Sequence, residues 1–555
     1  MGQYNSKVIL CKNIKLEKDY KNVLSYTENQ MYTLCYNNKV VEKNDFSFIR
    51  SERNYIQVDC SYEDALKCNY MCFQNPDYSS KWFFAFIDNV EYVNDNCVRI
   101  RYTIDEFSTW FDYWSPSACL VLREHVNSDN IGEHTYPENL EHGDYIVNSY
   151  QRLGSFNAEN CNVVIGTTWL PSNTPNITSY QYYGAFSGVY YIAFSSLASA
   201  NDFIQALDGF GRGDAIVCAF MAPDDLCKPK TSFSATLHSK INNDDGTTSN
   251  HDFSISANFI GNHYSINLLT DQTIAINTTL NGYTPKNKKL FCYPYNYLLV
   301  SNNEGSDAIY NYEDFISNTP TFNIIGTLCP GCSIKLYPEN YKKIADGAAG
   351  SYERPGYNDG IMAGKFPICS FTNDSYVNWL TQQSVNTTMN QVGAAVQIGG
   401  MILNSAAGEG NSSSSYAGLF QQQASYLSER YQRALVAPQA RGNINGGDVT
   451  YGYNQKSFSI YKMSIKAEYA AIIDEYFNRF GYQVNEVKLP NQTGRVYWNF
   501  VQIGSYENIG YSTSVTRSVP AASMETINNI YRSGVTIWHD HANLGNYSLT
   551  NSISS

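Results

Sequence analysis

The residues best suited to chemistry fall in four groups, and none has the spacing that chemistry requires. Cys329-Pro330-Gly331-Cys332 is the single CxxC of the chain. A thiol–disulfide site needs a helix opening at the first cysteine, whereas Ser333 to Tyr337 behind this pair reads as a strand. A structural zinc would need a second pair of ligands, and no second CxxC exists. His125, His134 and His142 stand among Asp129, Glu138 and Asp144, types that suit a metal, but their intervals match no compact zinc pattern. His539-Asp540-His541 would need a serine or a metal beside it, yet the chain holds neither a Gly-x-Ser-x-Gly elbow nor a His-Glu-x-x-His motif. Arg212-Gly213-Asp214 closes the glycine-rich turn Gly209 to Gly213 before the apolar run Ala215-Ile216-Val217, and the turn explains it. The expectation is a protein with no catalytic residues, no metal and no cofactor.

Composition points the same way. The 555 residues are enough for two to four domains, and 46 tyrosines with 14% aromatic residues suit β-sheet and large protein–protein surfaces. A formal charge of −13 argues against nucleic-acid affinity, because phosphate binding needs clustered Lys and Arg. The 14 cysteines are neither dense nor regular, and Met1 to Ser6 leads into the charged segment Lys12 to Lys21 without a signal peptide. Synthesis in a reducing cytoplasm with mostly free thiols is expected.

The elements that would position these groups are predominantly strands. Lys81 to Ile87 and Cys97 to Ile104 flank Glu91 to Asn96 as a hairpin, and Val98, Ile100, Tyr102 and Ile104 alternate towards one face. Arg123 to Glu138 is polar and aperiodic and reads as an ordered connector. Short strands are expected at Val163 to Thr168, Val189 to Phe194, Ala215 to Met221, Phe253 to Ile260 and Thr273 to Leu280, with a helix from Asn201 to Leu207 capped by Ser199 or Asn201. Near the C-terminus the periodicity predicts a helix from Ser464 to Phe480. Its face holds Ile465, Tyr469, Ile472, Ile473, Tyr476 and Phe480, and Gly481 stops it. A second helix is expected from Met524 to Tyr531, capped by Ser523, with strands at Arg495 to Gln502 and Val535 to His539.

One stretch departs from the rest. Between Ser375 and Ser428 the only charged residue is Glu409. Gln383, Asn390, Gln397 and Asn404 recur every seven residues as a neutral polar stripe on a helix, while Met389, Val396 and Leu403 keep the same period on another side. The apolar run, with Val392, Val396, Ile398, Met401, Ile402 and Leu403, is too short and too rich in glycine to span a bilayer alone. Ala406 to Ser415, with Gly408 and Gly410, is a low-complexity break before a second helix at about Tyr416 to Leu435, which carries Leu419 and Phe420. Pro438 and the glycine-rich Gly442 to Gly447, with Gly446, end it. Because packed-domain patterning resumes afterwards, the stretch is an insertion, either a buried or partner-facing helical hairpin or a membrane-contacting one.

Several longer phrases resemble one family. Lys81 to Ile87, Tyr102 to Trp110, Arg123-Glu124-His125-Val126 with Asp129, Pro137-Glu138 and Gly143-Asp144-Tyr145 are similar to the N-terminal half of distal tail (tail-knob) proteins of small short-tailed phages of Gram-positive bacteria. Asn281 to Tyr295, Ser301 to Gly305, Ile473 to Phe477, Phe480-Gly481-Tyr482, Arg495 to Asn499 and Ile537-Trp538-His539 continue the resemblance in order.

The resemblance implies a mainly β protein with some α structure, its β-barrel or sandwich domains similar to those of tail tubes and assembled as a homohexameric tube at the virion tail tip. It implies a long hydrophobic loop that plugs the tube and enters the host cytoplasmic membrane, and that role falls on Ser375 to about Asn454. On this reading residues 1–120 are a first tube-like β-domain, 121–150 the connector, 151–374 further β-domains, 375–454 the insertion and 455–555 an α+β segment completing the body. Met401, Ile402, Leu403, Leu419 and Phe420 would meet the membrane with Val392, Val396 and Ile398. Gln383, Asn390, Gln397 and Asn404 would face the pore, and Gly408, Gly410, Gly442, Gly446 and Gly447 would act as hinges. Expected partners are the upper tail tube or collar protein and phage DNA passing without specific binding. Six copies at −13 each would repel DNA if the lumen wall is acidic, and a low-charge insertion avoids ~2.5–3.5 kcal/mol for each charge it does not carry to a bilayer centre. From other classes, a tail-tip cell-wall hydrolase using carboxylates of Asp129 to Asp144, or a receptor-binding adhesin, would fit the same composition.

Overall fold

The computed structural model describes residues 6–554 apart from 47–53, 76–79, 155–160, 176, 178–180, 183–184, 187, 229, 243–246, 261–266, 317–318, 327, 329, 331–332, 343–358, 365, 367, 373–442, 446–457 and 510–518. The chain is mainly β and folds as two compact units, neither of them continuous in sequence.

The first unit takes Met1–Asp144, Gly282–Leu290 and Lys466–Ser555. Its six-stranded sheet runs Lys39–Phe46, Ser6–Cys11, Tyr70–Gln74, Trp82–Asn94, Cys97–Ile104, Tyr55–Val58. Strand alternation explains its two cores. Val8, Leu10, Met71, Phe73, Val98 and Ile100 face one cluster, while Ile9, Cys11, Tyr70, Cys72, Phe84 and Phe86 face another that also holds Trp498 and Trp538. Those tryptophans come from a five-stranded sheet ordered Asn22–Leu24, Val535–Trp538, Trp498–Ile503, Cys119–Glu124, Tyr482–Lys488. Its first pair is parallel, with Val23 opposite Ile537, so the two ends of the chain close one sheet. The expected hairpin is present, Asn94 pairing with Cys97, and Val98 and Ile100 are fully buried.

The second unit takes Tyr145–Asn281 and Phe291–Ile465. A seven-stranded sheet orders Lys230–Asn242, Thr248–Ile260, Tyr190–Phe194, Cys161–Thr167, Ile216–Pro223, Ile368–Thr372, Asn443–Asn445. Its central strands are buried on both faces and therefore read as largely apolar runs, with Asn162 and Thr167 as buried polar residues of Cys161–Thr167. Val163, Ile165, Ile192 and Phe194 pack on one side with Phe203 and Leu207 of the helix Leu197–Gly209. Val164, Ala193 and Phe220 face the other side. That second core is shared with a sheet ordered Asn267–Thr273, Thr321–Gly326, Ile334–Pro338, Ile361–Ala363, and with another ordered Asp307–Tyr310, Asn296–Ser301, Phe458–Ile465, Tyr145–Leu153.

Four local expectations are corrected. The helix predicted from Asn201 starts at Leu197, because Ser196 accepts the Ser199 amide and so caps it one turn earlier. The strand expected over Thr273 to Leu280 ends at Thr273, where Ile274 leaves the ladder and donates to the Pro320 carbonyl. The helix expected from Met524 is Ala521–Ser533; Pro520 opens it and Ser523 lies buried within it. The helix expected from Ser464 is Ala467–Phe480, since Ser464 and Ile465 belong to the strand before it. Its buried face is Ala470, Ile473, Asp474 and Phe477, and Ile472 is 68% exposed. The phase is turned by Asp474, which the periodicity counts as polar and the fold buries. Among the described residues the cysteines are all free thiols.

Candidate functional site

All the residues assigned to membrane contact, pore lining and hinges lie outside the described residues: Gln383, Asn390, Val392, Val396, Gln397, Ile398, Met401, Ile402, Leu403, Asn404, Gly408, Gly410, Leu419, Phe420, Gly442, Gly446 and Gly447. So do Cys329 and Cys332. What the structure describes is the base from which the insertion departs. Ile368–Thr372 pairs on one side with Ile216–Pro223, Cys218 opposite Thr372 and Ala219 opposite Phe371. On its other side it pairs antiparallel with Asn443–Asn445, Thr372 opposite Asn443 and Ser370 opposite Asn445. The chain therefore leaves after Thr372 and returns at Asn443 directly across one ladder, about 5 Å away. Gly442, Gly446 and Gly447 adjoin the returning strand in sequence. Among the described residues no helix is long and apolar enough to cross a membrane.

The phrases that carry the family resemblance meet elsewhere, in a buried polar cluster of the first unit. Asp474, 1% exposed on its helix, accepts from the Tyr283 hydroxyl at 2.8 Å, the Lys286 amide at 2.8 Å, the Asn287 amide at 3.0 Å and the Asn287 side-chain amide at 2.8 Å. Glu138 pairs with Lys289 at 2.8 Å and with Arg123, and it accepts the Gln483 amide at 2.8 Å. Asp129 takes the Tyr482 hydroxyl at 2.7 Å and the Lys288 amide at 3.0 Å. Segment Gly282–Leu290 is thus tied to the unit at three carboxylates. Local patterning gave no warning of this, although an Asp at helical spacing between Ala470 and Phe477 was a signal available in the sequence.

Of the carboxylates a hydrolase would use, Asp129 and Glu138 are committed to these bonds. The Glu138 side chain is 1% exposed and fully engaged, while Asp144, 90% exposed, stands 3.6 Å from Lys466. The histidines are equally accounted for. His125 is buried, accepts the Phe500 amide at Nδ1 (2.7 Å) and donates from Nε2 to the Asn478 carbonyl (3.0 Å), an arrangement only the neutral ring allows. Nε2 of His134 bonds the Ser128 carbonyl at 2.8 Å and Nδ1 of His142 the Gly143 carbonyl at 3.0 Å. His539 lies between Ser25 Oγ (2.9 Å) and Asn499 Oδ1 (3.1 Å), a polar link between the ends of the chain. Among the described residues no group of three or more His, Cys, Asp and Glu is placed to hold a metal.

Burial, with the Arg495 and Arg123 charges nearby, pushes His125 from 6.5 down to about 3. Between those values the unfolded chain binds a proton that the folded chain does not, so stability is full above pH 6.5 and falls with pH towards 3. The slope is about 1.4 kcal/mol per pH unit for this one group. His539 and His541, also lowered by burial, add to the same trend. Urea midpoints of wild type and His125→Gln from pH 7.5 to 4 should diverge in slope by about one proton, the variant being the flatter. Parallel slopes would mean that His125 is charged in the fold.

Comparison with known proteins gives a consistent set. A family model described as Bacillus phage phi29, Tail knob protein gp9, C-terminal domain, matches residues 256–552. A second, Caudoviral major tail protein N-terminus, matches residues 4–115. The chain is 22% identical to the tail knob protein gp9 of Bacillus phage PZA and to that of Bacillus phage phi29, with 99% of this chain and 98% of each relative covered. The structure of the bacteriophage C1 tail knob protein, gp12, superposes with a TM-score of 0.61 at 14% identity, covering 99% of this chain and 100% of that one. At that identity the likeness concerns the fold.

Proposed function

The chain belongs to the tail knob protein gp9 family, and from that premise we propose that it forms a homohexameric tube at the tail tip, plugged by its low-charge insertions and opened by their release. It is a structural protein of the phage tail and of the virion, not an enzyme. In the proposed assembly the tube joins the upper tail tube or collar protein. DNA passes through the lumen without specific binding, kept off the wall by like charge where the wall is acidic. On release the six insertions enter the host cytoplasmic membrane and line a pore with Gln383, Asn390, Gln397 and Asn404, their apolar faces towards lipid. Synthesis and assembly take place in the host cytoplasm.

The observation that supports this reading best is the ladder between Thr372 and Asn443. Thr372 and Asn443 pair within one sheet, so the two points where the chain leaves and rejoins the body are held to each other by the body's own ladder. The stretch Ser375 to Ser428, whose only charged residue is Glu409, suits a move from water to lipid, because a single charge has to be desolvated there.

Deletion of Asn390 to Glu409 tests the proposal. Light scattering should find the deletion variant hexameric like the wild type, while release of dye from liposomes, seen with the wild type, is lost. Undiminished leakage from the variant would remove the membrane role. A wild type that is monomeric at every concentration would remove the tube.

A further inference from the structure

The sheet ordered Asp307–Tyr310, Asn296–Ser301, Phe458–Ile465, Tyr145–Leu153 is antiparallel throughout, and among the described residues its outer strands are edges. Its cross-strand rows are fixed by register. One runs Ile309, Leu299, Tyr461, Tyr150, and the next on the same face runs Asp307, Ser301, Ser459, Arg152. The intervening row, through Val300 and Ile460, points into the core of the unit. The outward row ends in exposed apolar side chains, Ile309 at 52% and Tyr150 at 59%. The charged row ends in Asp307 on one edge and Arg152 on the other. Arg152 lies 5.3 Å from the Tyr150 ring, and among the described residues neither Arg152 nor Asp307 has an ion-pair partner.

These two edges match each other. Four antiparallel strands leave the edges running in opposite directions, so an edge of one copy can continue the antiparallel ladder with the other edge of the next copy. One register, Tyr150 opposite Ile309, also sets Arg152 opposite Asp307, Gln151 opposite Ala308 and Ser149 opposite Tyr310. It joins apolar to apolar and cation to anion, and it removes two strand edges that would otherwise invite unspecific pairing. The contact is head-to-tail, the kind that closes into rings.

The geometry points to Ser149 to Arg152 of one copy pairing with Asp307 to Tyr310 of the next as a subunit interface of the assembly. This inference rests on the homomeric reading above and adds to it the edges and the register.

Charge reversal tests it in the full-length chain. Arg152→Asp alone and Asp307→Arg alone set like charges together at every junction and should weaken assembly by about tenfold or more in light scattering or sedimentation. The double variant R152D/D307R restores opposite charges at every junction and should assemble like the wild type. In parallel, Tyr150→Cys with Ile309→Cys in one chain should give, on oxidation, ladders of cross-linked copies in non-reducing gels. A wild type that assembles, with single reversals that do not weaken it and cysteines that do not cross-link, overturns this interface and leaves the oligomer standing. A wild type that never assembles overturns the oligomer itself.

Discussion

Asp474→Ala lowers the unfolding free energy of the first unit by about 3–5 kcal/mol, as a shift of the urea midpoint with unchanged slope. The carboxylate is 1% exposed and accepts four hydrogen bonds from Tyr283, Lys286 and Asn287. Alanine removes every acceptor and leaves buried donors behind, each at a cost of about 1–3 kcal/mol when nothing replaces the partner. Part of that cost is relieved if the loop opens to water, so Gly282–Leu290 should become a site of proteolytic cleavage in the variant. Asp474→Asn keeps one oxygen but turns an amide N–H₂ towards existing donors, and it should fall between alanine and wild type. A loss below about 1 kcal/mol for the alanine variant would show that the loop is held by Glu138 and Asp129 without it.

Gly481→Ala is expected to be comparably damaging, for a reason of space. Gly481 ends the helix Ala467–Phe480 with a φ of +66°, and a Cβ there would stand 2.1 Å from the Glu124 carbonyl oxygen. That oxygen belongs to the neighbouring strand, so relief requires separating helix end from sheet. The left-handed backbone alone costs about 1–2 kcal/mol, and the clash should bring the total above about 3 kcal/mol. Gly211→Ala is the control: its φ is +68° with nothing within 4 Å of the added carbon, and only the backbone cost applies. Equal losses in the two variants would show that the sheet gives way at Glu124.

The legible parts of the fold were those with short-range causes. The hairpin through Asn94 and Cys97, the burial of Val98 and Ile100, and the helix stop at Gly481 follow from alternation and turn chemistry within a few residues. The helix phase around Ile472 was misjudged because periodicity scores an aspartate as exposed. Only the distant loop at Tyr283 to Asn287 makes position 474 an interior one. No local pattern announces that Val23 pairs with Ile537, or that Gly282–Leu290 belongs with the chain ends. The insertion could be recognised by its low charge, but the ladder that anchors it joins Ile368–Thr372 to Asn443-Ile444-Asn445, a run too short and too polar to read as a strand on its own.

The division of the first unit also sets a timetable for synthesis. A ribosome finishes the whole of the second unit, insertion included, before it reaches Lys466. Until Trp498 and Trp538 emerge, the six-stranded sheet lacks two of the largest side chains of its Ile9–Cys72–Phe86 face. The nascent chain thus carries a half-covered apolar sheet through most of its elongation, and the last strand made, Val535–Trp538, closes the sheet begun by Asn22–Leu24. A premature stop between Lys466 and Val535 therefore yields a chain that holds every residue of the second unit but leaves the first unit's five-stranded sheet unclosed.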